Sequence, residues 1–242
     1  MNRSMSRRVV MAGVLLLAAR PARAQTADTL RLTADFGFVN TSGNTDLTTF
    51  NVGEKVEWQR RKLTLAQSFA VIYGRSNGET TSSLWRGTLR GDYALSPAVA
   101  AYLATAYDRD RFAGVARRFE EGAGLAIGLL RRTRDQLEVE GGVSLVQQRS
   151  VLGTGDDFFS ARGAGKYVHH FTETTYFQQA LEVLSNLEST DDVRLTSESA
   201  VVAPLSRRLA LKVSYVVRFD NVPEPGFGKA DRLLTSALQF TL

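Results

Sequence analysis

"LRLTADFGFVNTSGNTDLTTFNVGEKVEW", residues 30–58, sets apolar side chains on alternate positions through Leu30, Leu32, Phe36 and Phe38. The pattern breaks at Ser42-Gly43-Asn44 and resumes through Phe50, Val52, Val56 and Trp58. A period of two marks a β-strand with one apolar face. Gly and Asn at the break supply turn chemistry, so the stretch reads as a hairpin. Whether its apolar face meets a protein core or lipid decides the fold.

The same period runs on to Leu242 and gives about twelve candidate strands. They are Thr29–Asn40, Leu47–Gln59, Leu63–Tyr73, Ser83–Leu95, Val99–Tyr107, Phe119–Leu129, Leu137–Gln147, Phe158–Val168, Thr174–Leu184, Val193–Ala203, Leu209–Phe219 and Asp231–Leu242. Val99–Tyr107 and Thr174–Leu184 carry apolar residues on both faces. The connections alternate in kind. One set is short and basic, as at Arg60-Arg61-Lys62, His169-His170 and Ser206-Arg207-Arg208. The other is longer and polar: "NTSGNTD", "GRSNGETTS", "DRDRFAGVARR", "QRSVLGTGDD", "SNLESTDD" and "DNVPEPGFGKA". Short turns at one end and long loops at the other are the habit of an up-and-down membrane barrel.

Strand length agrees, since roughly 9–11 residues cross a bilayer at a tilt. Phe38, Phe50, Tyr73, Trp85, Tyr107, Phe119, Phe159 and Phe219 lie on the apolar stripes near the long-loop ends; Trp58, Tyr93 and Tyr167 lie near the short turns. Two aromatic girdles at strand ends suit two membrane interfaces. The opposite face carries Arg31, Asp35, Lys55, Glu57, Arg86, Arg90, Asp92, Glu138, Glu140, Arg162, Lys166, Glu182, Arg194, Glu198, Lys212 and Arg218. With lipid outside, these charges must point into a lumen. Both signs are present, which predicts ion pairs rather than a single-sign filter. Glu54 dissents on the apolar face, where a bulge or a neighbouring cation is expected to accommodate it.

The fold expected is all-β, an up-and-down antiparallel transmembrane β-barrel of about twelve strands, in one domain over residues 25–242. Residues 1–24 read as a cleaved export signal: Arg3, Arg7 and Arg8, the apolar run Val9–Ala19, and a small-x-small site at Ala22-Arg23-Ala24. That segment holds five arginines and no acid, so it accounts for the whole formal charge of +5. The remaining chain is formally neutral and gives no electrostatic reason to expect nucleic acid. Cysteine is absent, which excludes disulfides and thiolate metal sites. No later apolar run reaches the 18 residues or so of a membrane helix.

Several stretches together resemble one family: "GNTDLTTFNVGEKVEW" (Gly43 to Trp58), "YGRSNGETT" (Tyr73 to Thr81), "YDRDRFAG" (Tyr107 to Gly114), "GAGLAIGLL" (Gly122 to Leu130) and "DDVRLTSES…LSRRLALKVSYVVRFDN" (Asp191 to Asn221). The chain resembles the domain-of-unknown-function family 481, salt-stress-induced outer-membrane proteins of Gram-negative bacteria. The resemblance implies an outer-membrane barrel and brings no established activity or site residues. Glu54 departs from it, standing where the family is usually apolar.

The residues offer little chemistry. His169 and His170 are adjacent in a short turn, away from any position where a Ser-His-Asp hydrolase would operate on a barrel, and read as turn residues. Acidic pairs recur at Asp108 and Asp110, Glu120-Glu121, Asp156-Asp157 and Asp191-Asp192, where a hard cation bridging to lipopolysaccharide is conceivable and solvated loop charge is the plainer reading. Arg109, Arg111, Arg117 and Arg118 suit lipopolysaccharide phosphates. The glycines of "GAGLAIGLL" lie within a strand and mark close packing or a bend. No catalytic, cofactor-binding or metal residue is assigned.

The function expected is a structural or narrow-passage barrel of the cell outer membrane, supporting envelope integrity under osmotic or salt stress, the stress link coming from the resemblance. The alternatives are a surface receptor or lipopolysaccharide-contacting barrel, and an outer-membrane hydrolase. Expected partners are outer-membrane lipids, lipopolysaccharide and the barrel-assembly machinery, with the protein a monomer.

Overall fold

A computed structural model describes residues 28–41, 47–77 and 79–242. The expected export signal, 1–24, and the first turn, 42–46, lie outside the described residues. Twelve strands follow in order: β1 (Thr29–Thr41), β2 (Leu47–Arg60), β3 (Leu63–Ser76), β4 (Glu79–Ala94), β5 (Val99–Asp110), β6 (Val115–Arg131), β7 (Asp135–Ser150), β8 (Gly155–His170), β9 (Tyr176–Asn186), β10 (Val193–Pro204), β11 (Leu209–Asp220) and β12 (Ala230–Thr241). Each pairs antiparallel with its neighbours in sequence, and β12 returns to β1, so the sheet closes as a twelve-stranded barrel. Register partners followed sideways from Glu54 lead through Phe69, Gly87, Tyr107, Phe119, Gln147 and Asp157, from mid-β2 to the start of β8. The strands therefore tilt, as closing a sheet requires. The end where β1 begins and β12 finishes is the base; the opposite end is the mouth.

Polarity is inverted relative to a water-soluble domain. Outward-facing Leu103 and Leu234 are 69% and 72% exposed, while inward-facing Ser144 and Ser160 are each 1% exposed. An apolar band that wide on the outside is a surface made for hydrocarbon. The girdles form as the strand ends suggested. Near the mouth Phe50 stands opposite Tyr73, and Tyr107 packs on Phe119 with ring centroids 4.9 Å apart. Nearer the base Trp58 stands opposite Leu65 and Tyr93 opposite Leu63.

Glu54 is accommodated differently from expectation. The ladders on both sides of it run without a bulge, and among the described residues no cation pairs with it; Lys55 faces inward and pairs with Glu57 at 2.8 Å. The partner is the amide of Gln67, which donates to Glu54 Oε1 at 2.9 Å from the adjacent strand. A polar pair on a lipid-facing wall is costly even when internally bonded. Glu54→Leu is expected to raise unfolding stability in phospholipid vesicles by up to about 2 kcal/mol, read as a shift of the urea midpoint.

The strands also outrun the alternating pattern at the mouth. β4 starts at Glu79 rather than Ser83, β6 at Val115 rather than Phe119, and β7 continues to Ser150. Most of "GRSNGETTS" thereby belongs to β3 and β4, and "DRDRFAGVARR" shrinks to 111–114, a short 3-10 turn at Arg111–Ala113 followed by Gly114. Backbone pairing persists above the apolar band although both faces become polar there. Among the described residues the longest connection is 221–229, between β11 and β12.

Candidate functional site: the lumen

The lumen holds several cavities, and three of them, from the base to the space under the mouth, reach Arg86. At the base a cavity of about 870 Å³ is lined by Arg31, Asp35, Lys55, Glu57, Lys166 and Lys212, among others. Lys212 lies between Asp35 (3.4 Å) and Glu198 (3.3 Å), and Gln239 donates to Asp35 at 2.9 Å. Both signs line the wall, with cations in excess: Arg207 and Arg208 join Arg31, Lys55, Lys166 and Lys212. Below the lower girdle, on the outer side, Asp135 accepts hydrogen bonds from Tyr167 Oη (2.7 Å) and His169 Nδ1 (2.9 Å). These bonds, that from His169 foremost, hold the Asp135 carboxyl below its ordinary range.

Mid-barrel, a chain of five charges crosses the interior. Arg90 on β4 forks onto Asp92 and reaches Glu140 on β7 at 2.8 Å; Arg162 on β8 binds Glu140 at 2.6 Å and Glu182 on β9 at 2.7 Å. Arg90 passes over β5 and β6 to do so, and small inward residues there, Ala104, Gly122 and Gly124, leave it room. Tyr102 on β5 fills the remaining gap. Its ring lies 4.4 Å from the Arg90 guanidinium and its hydroxyl accepts from Arg162 Nη1 at 2.9 Å. That hydroxyl rests on the facing pair Gly124 and Gly142, where an added Cβ would come within 2.7 and 2.6 Å of it and within 2.3 Å of a carbonyl oxygen of the adjoining strand. This is the close packing that the strand glycines predicted. Gly142→Ala should displace Tyr102 and cost about 1–3 kcal/mol, with Tyr102→Phe on the same background adding less than it does alone; equilibrium unfolding of the three variants measures this. About 350 Å³ of cavity remains beside the chain of charges.

The mouth is strapped. The connection 221–229 leaves β11, crosses the opening and meets the opposite wall, where Gln148 on β7 donates to Glu224 Oε1 at 3.0 Å. Gln148 also accepts from Arg118 Nε at 2.8 Å. Gly114 is the seat of the strap. Its φ of +79° suits glycine, and a Cβ there would lie 2.8 Å from Glu224 and 2.9 Å from Phe227. Beneath the strap, ion pairs join Arg86 to Asp108 (3.3 Å), Arg218 to Asp110 (3.3 Å), and Arg194 to Asp192 (3.4 Å) and Asp220 (3.3 Å). The cavity left among them is about 90 Å³, room for a few waters.

Of the charges expected in the lumen, Asp35, Lys55, Glu57, Arg86, Arg90, Asp92, Glu140, Arg162, Glu182, Arg194, Glu198, Lys212 and Arg218 engage in ion pairs; Arg31, Glu138 and Lys166 line the lumen cavities without an ion pair among the described residues. Asp108, Asp110 and Arg118 were expected in a solvated loop and instead lie on strands, bonded inside the mouth. Arg109 and Arg117 stay outward, in the rows of Trp85 and Phe119. Tyr102 was not anticipated: it sits on a strand apolar on both faces, and only the run of small residues beside it hinted at a large side chain between. His170 faces the base cavity and packs on Tyr176, ring centroids 5.5 Å apart. Among the described residues no group of three or more His, Asp or Glu gathers as a metal site.

Among solved structures the chain is similar in fold to the NanC porin, with a TM-score of 0.51 and 9% identity over 88% of this chain and 98% of that one. The translocator domain of the autotransporter NalP from Neisseria meningitidis gives a TM-score of 0.46 and 14% identity, covering 88% and 87% of the two chains. The anion-selective porin from Comamonas acidovorans gives 0.43 and 10%, covering 89% and 99%. No curated protein matches the sequence. Residues 34–242 match the family described as "Protein of unknown function, DUF481".

Proposed function

The chain belongs to the DUF481 family, proteins of unknown function, and on that footing we propose that it is an outer-membrane β-barrel whose lumen is a narrow passage for small polar solutes, shut at the mouth by the 221–229 strap. The observation that carries this reading is the run of adjoining lumen cavities, of about 870, 350 and 90 Å³, which meet at Arg86 beneath the strap. A sealed scaffold has no need of so wide a base cavity. The strap is rooted at Asn221, which donates to the Val193 and Asp191 carbonyls at 3.0 and 2.9 Å, and it reaches the far wall through Glu224 and Gln148, so the span 222–228 is the element to move. Paired charges of both signs favour small dipolar or zwitterionic solutes over one sign of ion.

The base, with its short turns and both strand termini, faces the periplasm in this reading, and the mouth faces outward. Lipids cover the apolar band, and Arg109 and Arg117, above the upper girdle, meet lipopolysaccharide phosphates. The barrel works as a monomer and without catalysis, after insertion by the assembly machinery. Its contribution to envelope permeability under salt or osmotic stress is part of the same proposal.

Planar-bilayer recording tests it. Brief, small openings are expected from the intact protein, with little preference between potassium and chloride. Permanent silence of both the intact protein and a strapless variant would overturn the passage and leave a scaffold. Loss of viability in high salt on deletion, restored by the intact barrel and not by one with a blocked lumen, would support the stress role.

A further inference from the structure

Eleven of the twelve ladders run for ten or more register positions. The ladder joining β1 to β12 runs for four, Thr33↔Thr241 to Phe36↔Leu238, flanked by the backbone bonds between Leu32 and Leu242 at 3.1 and 2.9 Å. Toward the mouth both strands continue without each other. β1 runs to Thr41 paired with β2, and β12 runs from Ala230 paired with β11.

The two edges stay close although the ladder has ended. Phe36 and Phe38 face outward, 48% and 56% exposed, whereas Gly37 between them is buried. The carbonyl oxygen of Ser236 stands on the lumen side of Gly37, 2.5 Å from where a Cβ would be. The two strands therefore stay in van der Waals contact at this height without being register partners. β12 follows directly from the strap that crosses the mouth.

Unpaired backbone groups in hydrocarbon cost several kcal/mol each, and barrels ordinarily avoid them by complete closure. Here two free edges lie side by side in the half of the wall nearer the mouth. The inward residues of β12 at this place, Leu233, Thr235 and Ala237, are uncharged, unlike the ion-paired lumen elsewhere, and the Thr235 hydroxyl is already bonded to Ser214 at 2.7 Å. An apolar chain can therefore pass where a charged group cannot, while a polar head stays among the lumen charges.

We infer that the upper β1–β12 seam is a lateral port, through which single-tailed amphiphiles with a polar head move between the lumen and the outer half of the membrane. The axial mouth, reduced to about 90 Å³, offers such molecules no exit. The port rests on the membrane-spanning reading and on a lumen open from the seam to the base, and is independent of whether ions also pass the strapped mouth.

The chain has no cysteine, so a thiol pair can staple the seam cleanly. Extending the register beyond Phe36↔Leu238 sets Phe38 opposite Ser236, both outward. The double variant Phe38→Cys/Ser236→Cys is compared, oxidised and reduced, with Ala34→Cys/Phe240→Cys in the paired part of the seam. The probe is NBD-labelled lysophosphatidylcholine added to phosphatidylcholine–phosphatidylglycerol vesicles holding the full barrel; dithionite quenching reads its arrival in the inner leaflet. Arrival should be several-fold faster than in protein-free vesicles for the intact protein and for the reduced variant. On oxidation of the upper pair it should fall to the protein-free rate and recover on reduction, while the lower pair has no effect. Unchanged transfer in the oxidised upper pair, or no transfer by the intact protein, would overturn the port. Disulfide-linked dimers in place of the internal link would overturn it too, showing that the free edge pairs with a second copy. Conductance on the same samples reads the axial passage separately, so either idea can fail alone.

Discussion

Arg162→Ala is expected to lower the unfolding free energy by about 3–5 kcal/mol, the cost of breaking a buried ion pair by removing one partner. Arg162 holds Glu140 at 2.6 Å and Glu182 at 2.7 Å, with side-chain exposures of 13%, 11% and 26% respectively. Without it Glu140 keeps Arg90, but Glu182 loses the guanidinium that neutralises it, and the Tyr102 hydroxyl loses its donor. Lysine retains the charge and not the planar fork, so Arg162→Lys should lose part of this and not all. The double variant Arg162→Ala/Glu182→Ala should lose less than the two singles together, because the stranded carboxylate goes with its partner. Urea unfolding in phospholipid vesicles, followed by the gel mobility of the unboiled barrel, measures all four. A loss below about 1 kcal/mol for Arg162→Ala would mean that lumen water screens the pairs as it does surface ones.

Replacing Val222–Gly228 by a short glycine turn is expected to convert brief openings into steady ones and to raise mean conductance several-fold. The strap is the obstruction at the mouth, and beyond its root at Asn221 it is held on the far wall by the Gln148 to Glu224 bond at 3.0 Å and the packing of Glu224 and Phe227 over Gly114. Two point changes grade the effect. Glu224→Ala removes a hydrogen bond worth about 1 kcal/mol, which shifts the open–shut balance by about fivefold. Gly114→Ala sets a methyl 2.8 Å from Glu224 Cβ on backbone with φ of +79°, and should unseat the strap more completely. Equal conductance in all four proteins would locate the constriction at the Arg90–Glu140–Arg162 chain instead.

The middle of each strand was legible because lipid outside and charge inside enforce a period of two. Where the wall rises beyond the apolar band, neither face is apolar and the period vanishes although pairing continues. For that reason Asp108, Asp110 and Arg118 looked like loop charges. Glu54 illustrates a second limit. Its partner Gln67 is diagonal across β2 and β3, and recognising it requires the register fixed by the Arg61-Lys62 turn, which alternation does not specify. The strap is a third. Its contacts join residues 76 positions apart, and nothing in "DNVPEPGFGKA" distinguishes a segment folded inward from one standing in water. Lumen charges were readable as a set; who pairs with whom depended on small residues at Ala104, Gly122 and Gly124 permitting Arg90 to reach past two strands.

The meander also has a kinetic side. Eleven ladders join strands adjacent in sequence and can zip as hairpins, a low contact-order route. The twelfth brings together groups such as Gln239 and Asp35, 204 positions apart, and must wait until the whole ribbon has curled. Ring closure is thus the last folding event and, with four register positions to hold it, the first to reverse. Amide hydrogen exchange should therefore begin at Leu32–Phe36 and Leu238–Leu242, well before the hairpins loosen.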